Sequence, residues 1–160
     1  MAFFDKTTHF QVGLDVSPDS HYEEFRLGGD YVNPGMLLAA DAFGYVTRYT
    51  GQGVSSGSWL FAVENGYHGG SILTTYDSPF SRVMARIFRP GDVFFVKFNL
   101  LLWPDIQEGA FLEAGPNGGL QPLGHAGSAD PAPVALAMES DPGFDPLVPT
   151  SEWYLKVRKM

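Results

Sequence analysis

The sequence predicts an all-β protein: a sandwich or barrel with long loops, an N-terminal arm and at most one short helix. Three observations lead there. Glycine (19) and proline (12) are abundant in a chain of 160 residues and break up any helical period. The apolar runs are short, about four to eight residues, which is the length of strands rather than helices. Turn dipeptides such as Pro-Gly and Asn-Gly punctuate these runs, and neither a heptad pattern nor a fixed-period repeat appears.

Residues 1–32 are polar and mixed. Phe3, Phe4, Phe10, Tyr22 and Phe25 recur there among charges without a core period, as in an arm that docks onto a partner surface. From residue 33 to residue 160 the texture is that of one domain. Asn33-Pro34-Gly35 is a turn, and Met36-Leu37-Leu38-Ala39-Ala40 is a short strand. Residues 44–49 form a second strand, rich in Tyr and Val. A Gly/Ser loop over residues 51–58 leads to a third strand at 59–63, ended by Glu64-Asn65-Gly66.

Residues 82–88 and 93–101 are strands separated by Arg89-Pro90-Gly91-Asp92. Proline presets φ at the first central position and glycine supplies positive φ at the second, so the turn is type II. Residues 103–112 are loop and short strand, and Asn117-Gly118-Gly119 is a tight turn before Leu120. Residues 124–133 are loop, 134–139 strand or one helical turn, 141–149 extended and broken by prolines, and 152–157 a closing strand.

A hairpin centred on Pro90-Gly91 sets Val83, Ala85 and Ile87 opposite Phe98, Val96 and Phe94. That face is wholly apolar and is expected to be core. The other face sets Met84, Arg86 and Phe88 opposite Lys97, Phe95 and Val93. It has too much ring for solvent and too much charge for a second core. Arg86 and Phe95 are therefore expected at a subunit contact.

Composition narrows the function. Charged residues are 18% of the chain, aromatics 14%, and 13 of the aromatics are Phe. Few charges beside many rings suit surfaces buried against partners. The formal net charge is −8, with 10 basic against 18 acidic residues, which argues against a sequence-independent nucleic-acid binder. Absence of cysteine excludes disulfides and thiolate chemistry. The opening Met-Ala-Phe-Phe-Asp-Lys is no signal peptide, and no apolar run approaches the roughly 20 residues that span a bilayer, so no membrane association is expected.

Catalytic signatures are missing. Gly53-Val54-Ser55-Ser56-Gly57 has the spacing of a nucleophile elbow, but it lies between β-like runs with no helix pattern after it. His9, His21, His68 and His125 lack zinc spacing; His68 and His125, flanked by small residues, read as hydrogen-bonded loop histidines. Asp41, Asp77, Glu64 and Glu108 form no carboxylate pair along the sequence, Asp141 and Asp145 are too sparse for a calcium loop, and no Gly-Lys-Ser/Thr phosphate loop occurs. The expectation is a binding protein, not an enzyme, with no cofactor and no metal.

The order of elements resembles a family. Pro34-Gly35-Met36-Leu37-Leu38, Gly44-Tyr45-Val46 and Ala62-Val63-Glu64-Asn65 resemble the opening of the β-tulip decoration (cement) proteins of tailed-phage capsids. Residues 72–76, 83–88 and Pro90-Gly91-Asp92 are similar to that family's centre. Gly109-Ala110-Phe111-Leu112, Gly118-Gly119-Leu120-Gln121-Pro122 and Val134-Ala135-Leu136-Ala137-Met138-Glu139 are similar to its closing pattern. The long 51–58 loop departs from it. The resemblance covers residues 33–160 and implies a β-tulip fold and a structural virion protein. It implies a homotrimer bound to the major capsid protein at three-fold and quasi-three-fold sites of the expanded shell, on the outer capsid surface, after assembly in the host cytoplasm. Phe3, Phe4, Phe10, Tyr22, Phe25, Arg86 and Phe95 are the candidate capsid or subunit contacts. The alternative is a phage tail or baseplate module, or a carbohydrate-binding module, in which Trp59, Trp103 and Trp153 stack on sugars rather than fill core or interface.

Overall fold

A computed structural model describes residues 11–18, 21–49, 59–66, 69–79, 81–124, 133–139 and 154–160. The chain is all-β, as its sequence predicts. Strands β2 (His21–Leu27), β3 (Leu37–Ala40), β4 (Tyr45–Arg48), β5 (Leu60–Ala62) and β6 (Arg82–Ile87) close a barrel in the order β2-β4-β3-β5-β6. Its neighbours are antiparallel except β2 and β4, which run parallel through Arg26↔Tyr45 and Leu27↔Val46.

The second layer is a six-stranded antiparallel sheet. It comprises β1 (Gly13–Asp15), β7 (Val93–Val96), β8 (Phe111–Ala114), β9 (Leu120–Pro122), β10 (Ala135–Ala137) and β11 (Leu155–Lys159), in the order β1-β7-β11-β10-β8-β9. The barrel strands all fall between β1 and β7 in sequence, yet β1 and β7 are neighbours, pairing Gly13 with Phe94 and Asp15 with Val93. The chain thus leaves the sheet after β1, builds the barrel, and re-enters beside its own start.

Alternation divides the apolar residues between two cores. Leu27, Leu38, Val46, Leu60, Ala62, Val83 and Ala85 fill the barrel. The opposite phase of the same strands, Leu37, Phe61 and Met84, joins Phe94, Val96, Leu112, Leu120, Leu155 and Val157 between barrel and sheet. At the centre Phe88 stacks on Phe94 (3.9 Å, 12° between planes) and Phe61 meets Phe94 edge-on at 5.0 Å. Burying one such ring contributes roughly 1.5–3 kcal/mol, and a well-placed aromatic pair about 0.5–1.5 more.

Several expectations are corrected. The β6–β7 hairpin does not form, although the turn itself is type II: Asp92 N–H donates to Arg89 O (3.0 Å) and Gly91 has φ +94°. β6 pairs with β2 and β5, whereas β7 pairs with β1 and β11. A type II turn splays its flanking strands, and here it carries the chain from barrel to sheet. The apolar face of Val83, Ala85 and Ile87 does point into a core, but into the barrel; Phe94, Val96 and Phe98 belong to the other core. Phe95, assigned to a subunit contact, is only 4% exposed, and its N–H donates to Val12 O (2.8 Å) inside the subunit.

The strand expected over residues 93–101 stops at Val96. Phe98 makes a single bridge to Leu120, and Leu100–Asp105 is a 3-10 segment. Asn99 starts that segment by accepting the Leu101 N–H on Oδ1 (3.1 Å), which competes with further strand pairing. Of the residues read as an N-terminal arm, the described ones before 33 include β1, a strand of the sheet, and β2, a strand of the barrel. β2 pairs with β6 from His21↔Ile87 to Arg26↔Arg82. Phe3, Phe4 and Phe10 lie outside the described residues, as do Ser55, His9, His68, His125, Asp141, Asp145 and Trp153.

Candidate interaction surface

Two carboxylates fasten the first strand where the chain passes between layers. Glu64 Oε2, just beyond β5, accepts the Val12 N–H (2.8 Å). Asp92 Oδ1 accepts both the N–H and the hydroxyl of Ser17 (2.8 Å each), and its Oδ2 accepts the Arg89 N–H (2.8 Å). The outgoing crossover after β1 is thereby tied to the incoming one before β7. Burial pushes the Glu64 carboxyl up, against the Val12 hydrogen bond and the charge of Arg86. Burial also acts upward on Asp92, but the hydrogen bonds from Ser17 and Arg89 together with Arg86 outweigh it and hold its carboxyl below the usual carboxylate range.

Arg86 therefore acts inside the subunit. Its guanidinium lies 5.8 Å from the centre of the Phe88 ring, and its Nη2 donates to Ser17 O at 3.4 Å. The structure sets it directly across from Tyr22, so two sequence-predicted contact residues are cross-strand neighbours on β2 and β6. Tyr22 is 42% exposed, whereas Phe25 is half-buried against the barrel core. Trp59 packs edge-on against Tyr49 (5.9 Å, 84°) and joins the intersheet core, as a packing tryptophan does. Asp41, Asp77, Glu64 and Glu108 are not brought together as a metal cluster; among the described residues no three metal-ligating side chains converge.

A cleft of about 440 Å³ opens between three loops that the strands hold in place. Tyr31, Asn33 and Met36 come from the approach to β3, Lys97 to Leu101 from the exit of β7, and Pro116, Asn117 and Gly119 from the β8–β9 turn. Tyr31 is pinned by Arg48, whose guanidinium stacks 4.0 Å from the ring centre and donates to the phenol oxygen (3.0 Å), while also pairing with Asp30 (2.7 Å). Asn99 is fixed through Nδ2 to Gln121 Oε1 (3.3 Å), and Gln121 Nε2 donates to the buried Glu113 (3.0 Å). Lys97, the one charged residue lining the cleft among the described residues, lies 4.0 Å over the ring of buried Tyr154.

Large apolar side chains stand out on this side and at the barrel tip. Leu101 is 89% exposed at the cleft rim, and Phe43 is 86% exposed at the β3–β4 turn. Both were missed from sequence. A signal for Phe43 existed: a phenylalanine at the tip between two recognised strands has no core to enter. Leu101 was hidden by reading residues 93–101 as one strand.

Compared with known proteins, the chain matches no family model and no curated protein.

Proposed function

We propose that this chain is a non-enzymatic binding protein that decorates the outer surface of a tailed-phage capsid and self-associates, as a homotrimer, on the expanded shell. The observation that carries the reading is the presentation of large apolar side chains, Phe43 and Leu101, on turn-locked segments of a closed all-β scaffold. Such positions fit protein contact better than solvent. The order of turns supports it too: Pro34-Gly35 and Pro90-Gly91, both quoted for the resemblance, are type II turns with φ of +87° and +94° at glycine. A ligand that binds only the intact shell stabilises it by mass action, by about 2.7 kcal/mol per site at a hundredfold excess over Kd. Joined copies add avidity.

The test is co-sedimentation with expanded, undecorated shells assembled from a tailed-phage major capsid protein encoded in the same genome as this chain, if one is found there. Saturable binding, with a rise in the temperature at which the shells rupture, is expected. Absence of binding to both expanded and unexpanded shells refutes the reading.

A further inference from the structure

The cleft and the Phe43 hairpin are complementary and lie at different places on the molecule. The hairpin is rigid before it meets anything. Asp41 Oδ1 accepts the N–H groups of Phe43 (2.8 Å) and Tyr45 (3.1 Å), Asp41 N–H donates to Tyr45 O (2.9 Å), and Gly44 takes φ +85°. Its carbonyl accepts the Arg26 N–H (2.9 Å), fastening the tip to β2. Little ordering entropy remains to be lost when Phe43 docks, which favours a knob over a floppy loop.

β3 separates the two features. It begins beside the cleft residue Met36, and four residues at about 3.3 Å each put roughly 13 Å of strand between Met36 and the turn that carries Phe43. A tip held this firmly does not fold back into its own cleft. A second copy's tip has no such restriction. The cleft suits it: Met36, Phe98, Leu100 and Leu101 supply apolar wall, and its volume lies within the range of roughly 300–1,000 Å³ that receives compact ligands.

Charge selects the same pairing. Copies of a chain with net charge −8 repel one another and meet most easily where the acid load is least. Among the described residues no carboxylate lines the cleft and one cation, Lys97, does, held over the Tyr154 ring, while the knob carries Asp41 two residues before Phe43.

We propose that the Phe43 hairpin of one copy of this chain seats in the cleft of the next, making a head-to-tail contact. Such a contact leaves one knob and one cleft unused in every pair, so it continues into a ring where the rotation between copies closes, as the homotrimer reading requires, and into an open filament where it does not. It rests on the self-associating part of the reading above and is independent of the shell.

Two exposed positions test it in the full chain: Phe43→Ser removes the knob, and Leu101→Glu places a carboxylate on the cleft rim against Asp41. Light scattering coupled to size exclusion reads the mass, and circular dichroism checks that each variant is folded. Wild type is expected as a closed oligomer and each variant alone as a monomer. Mixing the two variants is expected to give a dimer and nothing larger, because only one productive knob and one open cleft remain. A monomeric wild type, or a Phe43→Ser variant that keeps the wild-type mass, overturns the contact. Shell co-sedimentation of the same samples separates the two ideas. Shell binding by a monomeric wild type defeats this contact alone, whereas a ring that ignores shells defeats the capsid role and leaves the contact standing.

Discussion

Replacing Gly35 by alanine, and separately Gly91 by alanine, compares two turns that are alike in sequence and differ only in what surrounds them. Both are Pro-Gly type II turns closed by an i to i+3 hydrogen bond, Met36 N–H to Asn33 O (3.1 Å) and Asp92 N–H to Arg89 O (3.0 Å). Both glycines have positive φ, so each alanine incurs about 1–2 kcal/mol of backbone cost. At Gly91 nothing lies within 4 Å of the added Cβ. At Gly35 the Cβ falls 2.8 Å from Tyr154 Cε1 and 3.2 Å from the Phe95 carbonyl oxygen.

Tyr154 has little room to yield. It is 2% exposed, its hydroxyl faces the carbonyls of Pro34 (3.0 Å) and Ile72 (2.7 Å), and Lys97 covers its ring. Displacing it adds an overpacking cost of about 1–3 kcal/mol and weakens a hydrogen bond worth about 0.5–1.5. Gly35→Ala should therefore lose about 2–6 kcal/mol, against about 1–2 for Gly91→Ala. Urea unfolding of both variants measures the difference as a shift in midpoint at constant slope. A double-mutant cycle with Tyr154→Phe should show coupling to Gly35→Ala and none to Gly91→Ala. Equal losses at the two glycines would refute the reasoning, because the local chemistry of the turns would then account for everything.

Asp92→Asn should destabilise the protein at neutral pH, and the loss should shrink as pH falls. The folded carboxyl titrates below its unfolded value of 3.8, so its stabilisation is present above that value and disappears through the depressed one; thermal melts across acid pH would show it. Glu64→Gln should have the opposite sign: the folded carboxyl titrates above its unfolded 4.5, so wild-type stability falls as pH rises from there, and the variant should lose that fall in the same melts. Phe94→Ala should cost about 3–5 kcal/mol in denaturant unfolding, because it empties the site where Phe88 stacks and Phe61 abuts.

The strands that were legible are those whose own residues decide them. β3, β4 and β5 are short apolar or β-branched runs set off by Pro34-Gly35, Gly44 and Glu64-Asn65-Gly66, and local sterics suffice. β2 was not legible. His21-Tyr22-Glu23-Glu24-Phe25-Arg26-Leu27 carries three charges in seven residues, and it becomes a strand because β6, far along the chain, offers it an edge from Arg82 to Ile87. Of the residues expected at a contact surface, Tyr22 alone among the described ones is exposed. Phe25, Arg86 and Phe95 were absorbed by contacts with elements remote in sequence.

The amino-acid sequence alone determined that the protein is all-β, that glycine and proline set its turns, and that Val83, Ala85 and Ile87 share a buried face. Those properties follow from backbone sterics and from the two-residue alternation of a strand, which act within a few residues. Only the tertiary structure decided which strands pair, that the Pro90-Gly91 turn joins two layers instead of two partners, and that Phe95 goes inward while Phe43 and Leu101 stay out. Each of those outcomes depends on a surface built by residues far along the chain, such as the sheet edge where β1 meets β7 although every barrel strand lies between them in sequence.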